Sequence, residues 1–191
     1  MKMLRIAMFL ILPLLSGCLL YEKQEVDISL TETGGDFWVR HTGWKSSDDD
    51  AEKITKDFDE LIKKYGPDEK GLEEELSNEG IYLLEKKIYL QDGKINTEYH
   101  GLAPYGSPAF QAKFRLMNDE ILYVVDAPEK WKVESNGRVY STEKNSVITW
   151  PKDEKSLTWT VMDNSKDKKK DNLIKLFAEW QDKMNKKEKK E

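Results

Sequence analysis

The sequence predicts an α+β fold: an antiparallel sheet of hairpin-linked strands with helices on one face. Three observations support this class. Residues 26–31 alternate apolar and polar side chains, and the same period of two recurs through most of the chain, as in half-buried strands. Asp-Gly at 92–93 and Asn-Gly at 136–137 are typical hairpin turns. Only a few segments repeat with the helical period, which favours separate helices packed against the sheet.

The first half of the chain is predicted to form two hairpins separated by two helices. Three aspartates at 48–50 place negative charge where a helix begins, and Gly66-Pro67 ends the helical repeat. Trp38 alternates with Phe37 and Val39, so it points to the opposite face of its strand. The elements are, in order, strands at 26–31 and 37–42, helices at 48–65 and 69–78, and strands at 81–90 and 95–99.

The second half is predicted to consist of strands followed by one helix. A loop rich in Pro and Gly at 103–108 separates the halves, and Asn-Gly at 136–137 joins a hairpin. The last helix runs from 171 to about 187 and carries an apolar stripe that requires a partner surface. The strands are expected at 110–116, 121–126, 131–134, 138–142, 148–150 and 157–161.

A short apolar run near the N-terminus ends in Leu15-Ser16-Gly17-Cys18, which resembles the lipobox of bacterial lipoproteins. Lys2 and Arg5 precede the run, which completes the three-part layout of an export signal. The run is shorter than the roughly 20 residues that a membrane-spanning helix needs. The resemblance implies cleavage between Gly17 and Cys18 and attachment of acyl chains such as palmitate to Cys18. The alternative is an ordinary cleaved signal with an accidental cysteine.

Cys18 is the only cysteine, so no intramolecular disulfide can form, and lipidation would account for it. We expect an anchor in the bacterial membrane and a short tether from Cys18 to Gln24. In a Gram-negative host, Leu19 after the cysteine favours the outer membrane, with the domain facing the periplasm. The chain then divides into a signal peptide at 1–17, an α+β domain at 18–165, and a Lys-rich linker, helix and tail at 166–191.

The composition indicates a folded domain that does not bind nucleic acid. The 191 residues carry a net charge of −5, and 38% of them are hydrophobic, which is too apolar for a disordered chain. Lysines are concentrated at 166–191, so the remaining body is acidic. Because phosphate binding needs clustered cations, we expect no nucleic-acid partner. The terminal lysines fit either a solvated tail or contact with anionic lipid headgroups.

Two stretches of the body resemble the LppM-like domain of mycobacterial lipoproteins. The first is a strand, a Gly turn and a strand from Val26 to Arg40, and the second runs from Ala127 through Asn136-Gly137 to Trp150. The second shows that group's Pro turn, Asn-Gly pair and aromatic strand ending in Trp. The resemblance implies an exported α+β domain able to touch lipid, and it transfers no catalytic residues. Such proteins often end in a membrane span, whereas this chain ends in an amphipathic helix.

Motifs for metal binding, cofactor binding or catalysis are absent from the sequence. His41 and His100 are the only histidines and lack the spacing of a metal pair. We therefore expect no metal and no cofactor, and a structural role for His41. Residues 105–108 lack the second Gly of a nucleophile elbow, and Pro108 is not expected to open a helix there. We expect no catalytic residues, so the protein is predicted not to be an enzyme.

Three functional classes remain to be compared. The first is a lipid-anchored envelope protein with a non-catalytic binding or structural role. The second is a lipid-binding module whose sheet and helices enclose an apolar groove, and the third is an envelope hydrolase, which no motif supports. Trp38 and Trp44 are candidate ligand-contacting aromatics, although packing in the core and on the sheet face is the commoner role of tryptophans. Besides the membrane, the expected partner is a lipid or an envelope protein.

Overall fold

The computed structural model describes residues 19–125, 131–142, 145–164 and 172–188. These residues form twelve strands and four helices. The helices are α1 (Ala51–Tyr65), α2 (Gly71–Asn78), α3 (Pro108–Lys113) and α4 (Ile174–Glu188). The strands are β1 (Leu19–Leu20), β2 (Lys23–Leu30), β3 (Gly34–Thr42), β4 (Lys45–Ser46), β5 (Tyr82–Gln91), β6 (Lys94–Pro104), β7 (Phe114–Met117), β8 (Glu120–Val125), β9 (Trp131–Ser135), β10 (Arg138–Ser141), β11 (Ser146–Pro151) and β12 (Ser156–Asp163).

Within the described ranges, the strands form three sheets whose pairs all run antiparallel. The largest sheet has the order β5-β6-β3-β2-β12-β9, the second has the order β10-β11-β8-β7, and β1 pairs with β4. The α+β class is therefore confirmed, with the strands divided between sheets instead of gathered in one.

One face of the six-stranded sheet is buried, and the small sheet and the helices both pack against it. Phe37 and Val39 lie on this inner face and are 2% exposed, whereas Trp38 between them points outward, as predicted. Tyr123 of the small sheet packs on Trp159 of the large one, with ring centroids 4.6 Å apart. The helices cover the rest of the inner face, where α1 and α2 contact β5 and α4 contacts β6.

The predicted tether from Cys18 to Gln24 is wrong for the residues that the structure describes. Leu19 and Leu20 form β1 and pair with Ser46 and Lys45 of β4. The next residue, Tyr21, is buried with 6% of its surface exposed, and β2 begins at Lys23. Leu19 to Gln24 therefore belong to the folded domain and do not form a free tether. Residues 1–17 and Cys18, where the signal peptide and lipidation site are predicted, lie outside the described residues.

Helix α1 begins at Ala51, three residues later than predicted, because Asp50 caps it. The Asp50 carboxylate accepts hydrogen bonds from two backbone amides of the first turn, at 3.0 and 3.1 Å, and an N-cap residue lies just outside its helix. One side of the helix is buried in the core, where Leu61 is completely covered. The three aspartates at 48–50 therefore mark the start of α1 instead of forming its first turn.

The strand predicted at 110–116 is wrong in its first half, which is helical. The Ser107 side chain accepts a hydrogen bond from the Phe110 amide at 3.2 Å, and Pro108 occupies the first turn of α3. Proline is well suited to that position because its missing N–H would have no partner there. Pro108 thus does open a helix, contrary to the sequence-based expectation, and the strand begins only at Phe114.

The Asp-Gly turn is confirmed, whereas the Asn-Gly hairpin is wrong. Asp92 and Gly93 have φ values of 52° and 72° and join the paired strands β5 and β6. At Asn-Gly, however, β9 pairs with β12 of the large sheet and β10 with β11 of the small one. The Asn136 Oδ1 accepts hydrogen bonds from Trp150 Nε1 at 2.7 Å and Thr158 N at 2.9 Å. Asn136 therefore ties the two sheets together.

The C-terminal helix belongs to the same core as the sheets. Leu173 and Phe177 are completely buried, and they join the single cluster of buried apolar residues that includes the inner faces of both sheets. The separation of residues 166–191 from the domain thus does not apply to α4, while the linker at 165–171 lies outside the described residues. None of the helices formed by the described residues is long and apolar enough to cross a bilayer.

Candidate functional site

An apolar cleft lies between the large sheet and the segment that contains α3 and β7. Its floor includes Ile28 and Phe37, and its outer wall is made by Phe110 and Phe114, whose rings stack with centroids 4.7 Å apart. The volume of the cavity is about 20 Å³, which is enough for about one or two waters. A lipid chain would therefore require the two phenylalanines to move outward.

One polar group in the wall of the cleft is buried without a hydrogen bond. Trp159 lines the cleft and is 3% exposed, and its indole Nε1 has no hydrogen-bond partner among the described residues. Burying an N–H without an acceptor is unfavourable, by roughly 1–3 kcal/mol.

The open face of the large sheet carries a second cluster, centred on Trp38. The Trp38 and His100 rings stack with centroids 4.3 Å apart and an angle of 3° between their planes. The Arg40 guanidinium carbon lies 5.7 Å from the centre of the indole, and Asp36 Oδ1 is 2.7 Å from His100 Nε2. Glu98 continues the cluster with an ion pair to Arg40 at 3.3 Å.

These contacts limit what the Trp38 cluster can do. The His100 ring covers one face of the indole, and the Arg40 guanidinium lies near the ring, so that face is not available to stack on a sugar ring. The His100 Nε2 is engaged by Asp36. The cluster is therefore a cross-strand network of rings and charges that stabilises the open face of the sheet and presents a mixed-charge surface to solvent.

Trp44, the other candidate aromatic, lies in the core and is 1% exposed. Its Nε1 donates a hydrogen bond to Thr97 Oγ1 at 2.9 Å. His41 is buried beside it, with its Nε2 2.8 Å from Gln24 Nε2 and its Nδ1 3.3 Å from Thr97 Oγ1. Trp38 and Trp44 thus lie on opposite faces of the sheet, and the structure does not bring them into one site.

Burial controls the ionisation of this core cluster. The pKa of His41 is lowered from 6.5 to about 3, chiefly because burial disfavours the charged ring and secondarily because the Lys64 charge is close. Burial also raises the pKa values of Tyr21 and Tyr99. A neutral His41 fits its contacts, since a Gln24 amide that donates to Nε2 leaves the ring proton on Nδ1.

The cleft residues were not singled out from the sequence. The sequence pattern predicts one strand for Phe110 and Phe114, whereas Phe110 lies in α3 and Phe114 begins β7. The missing partner of Trp159 depends on contacts between distant segments, which no local pattern records. Among the residues that the structure describes, no three His, Cys, Asp or Glu side chains converge as metal ligands would.

No family model, curated protein or solved structure matches the chain.

Proposed function

We propose that this chain is a lipid-anchored bacterial envelope lipoprotein with a non-catalytic binding or structural role. The observation that carries the proposal is the lipobox Leu15-Ser16-Gly17-Cys18 at the end of a short apolar run, which predicts a mature chain that begins at Cys18. Directly after it, Leu19 and Leu20 pair with β4, which supports a mature domain that includes the residues following the cysteine.

The proposed location of the protein follows from the lipid anchor. Cys18 carries the acyl chains, and more than one chain is needed for firm attachment because a single one binds membranes only marginally. In a Gram-negative host, we expect the protein in the outer membrane, facing the periplasm. The proposed partners are the membrane itself and a lipid or an envelope protein bound by the domain.

Membrane fractionation of two variants tests the anchor. Cys18→Ala removes the only thiol, so we expect the signal to remain uncleaved at this site and the mature, membrane-bound form to disappear. Leu102→Ala is the matched control, because it alters an exposed leucine, 38% accessible, far from the lipobox in the sequence. If Cys18→Ala matures and floats with membranes like the control, the lipoprotein proposal is overturned.

A lipid-binding module is the second candidate function, and the apolar cleft, lined by Trp159 whose Nε1 has no hydrogen-bond partner among the described residues, favours it. A ligand that suits this site is an acyl chain with an ester oxygen near the indole. Native mass spectrometry of the domain from Leu19 onward, purified without its anchor, should then show co-purifying lipid. Phe110→Trp should reduce the bound fraction by filling the cleft. A wild-type domain that carries no lipid would remove this candidate.

A further inference from the structure

We propose that the domain docks directly on the bilayer, with Leu20 at the boundary between headgroups and acyl chains. The inference rests on the proposed lipidation of Cys18 and goes beyond it, because an anchor alone does not fix the orientation of the domain on the membrane. The contact surface is the anchor end, defined as the end of the large sheet beside the β1–β4 ladder and the turn between β5 and β6.

No free tether separates the predicted anchor from the domain. Leu19 and Leu20 are held in the ladder with β4, and Glu22 donates its backbone N–H to Thr42 O at 2.9 Å. Between them, the Tyr21 ring is buried against Trp44, with centroids 5.3 Å apart. The chain is therefore fixed to the domain from the first residue after Cys18.

The β4 strand that holds this segment is itself firmly attached. Asn172 accepts a hydrogen bond from Ser46 N at 3.0 Å and donates one to Ser46 O at 3.1 Å. The Ser46 hydroxyl donates to the Asp57 carboxylate of α1. The ladder is thus connected to α1 and to the residues just before α4, and it moves with the domain.

The length of the chain fixes how far the anchor end can lie from the lipid. Two extended residues span at most about 7 Å, so Leu20 must lie within that distance of the Cys18 Cα. Diacylated Cys18 sits at the headgroup level because its acyl chains are buried in the hydrocarbon. An exposed leucine held so close to the headgroups has the apolar layer of the bilayer as its nearest partner.

The surface of the anchor end suits this partner. Leu20 is 38% exposed, and Leu90, which precedes the turn between β5 and β6, is 42% exposed. The two lie at the same end because Leu90 pairs with Ile95, whose carbonyl accepts a hydrogen bond from Trp44 N at 3.0 Å, next to β4. Two projecting leucines at one end provide apolar contacts with the interface.

A pair of matched spin labels tests the docking. Leu20→Cys and Leu102→Cys are made in the full chain, because both leucines are 38% exposed. Leu102 lies eight residues along β6 from Lys94 at the anchor end, a distance of about 27 Å in an extended strand. The acylated proteins are labelled with a nitroxide and reconstituted in vesicles of phosphatidylethanolamine and phosphatidylglycerol, and access to oxygen and to a water-soluble nickel complex is measured.

We expect the label at position 20 to have a several-fold higher ratio of oxygen to nickel access than the label at 102. Inserting about twelve Gly and Ser residues between Cys18 and Leu19 supplies a flexible tether and should abolish the difference. Equal ratios in the chain without the insert would overturn the docking. Shielding of position 20 from both reagents would overturn it too, since a protein surface would then cover the leucine.

Failure of the docking is separable from failure of the proposed lipoprotein function. The intact mass of each labelled protein shows whether Cys18 carries acyl chains. A protein that is acylated but has position 20 in water contradicts only the docking. A protein that is never acylated contradicts the lipoprotein function and the docking with it.

Discussion

Acid should destabilise this domain through the buried His41. The pKa of His41 is about 3 in the folded state, against 6.5 for an unperturbed histidine. Between about pH 3 and pH 6.5, His41 is therefore protonated in the unfolded state but neutral in the folded state. The stabilising contribution of neutral His41 is complete above about pH 6.5 and falls as the pH decreases toward 3. The free energy of unfolding should fall by about 2 kcal/mol between about pH 7 and pH 5. The full shift in pKa corresponds to a total loss of about 5 kcal/mol at pH values below both pKa values.

Urea unfolding of the wild type and of His41→Gln at several pH values measures this term. The variant keeps a hydrogen-bonding side chain but cannot titrate, so the difference between the two free energies of unfolding isolates His41. We expect that difference to change by about 2 kcal/mol between about pH 7 and pH 5. A constant difference would refute the reasoning. If the variant does not fold, NMR titration of the wild-type His41 ring decides, because a ring that protonates near pH 6.5 contradicts the buried neutral state.

Three further predictions concern packing and caps, and each is measured by chemical unfolding. Trp44→Phe removes the hydrogen bond to Thr97 and part of a side chain that is 1% exposed, so it should cost at least about 1–2 kcal/mol; an unchanged midpoint would contradict the buried, hydrogen-bonded position of Trp44. Leu61→Ala, at a completely buried position, should cost about 2–5 kcal/mol, whereas Leu116→Ala, 69% exposed, should stay within about 0.5 kcal/mol. Equal losses in these two would contradict the assignment of the core. Ser107→Ala removes the N-cap of α3 and should cost about 1 kcal/mol, and a stabilising effect would argue against the helix.

Local features of the fold could be predicted from the sequence because the backbone sets their period. Simple alternation with its neighbours predicts that Trp38 lies on the outer face, and the structure places it there. The Asp-Gly turn at 92–93 was equally accessible, since both residues adopt the positive φ that such a turn requires. The α+β class followed from the same patterns.

Pairings between distant segments could not be predicted in this way. The two strands around Asn136 look like a hairpin, but β9 pairs with β12, more than twenty residues later. The choice depends on the bonds of Asn136 to Trp150 and Thr158, which exist only when both sheets are assembled. Gly137 is required there, since a Cβ would come within 2.6 Å of the Trp150 ring nitrogen.

The start of α3 was a missed local signal. Ser107 followed by Pro108 is a typical helix start, but the apolar alternation at 110–116 favoured a strand. The apolar cleft depends on this element, because Phe110 of α3 forms its outer wall. A wrong local assignment thus concealed the site as well as the helix.

Mass spectrometry of the N-terminal peptide from membrane-purified protein tests the lipid anchor most directly. We expect a chain that begins at Cys18 and carries a thioether-linked diacylglycerol, with no residue of the segment 1–17 retained. An unmodified Cys18, or a peptide in which Gly17 still precedes it, would contradict the lipid anchor and the membrane location that depends on it.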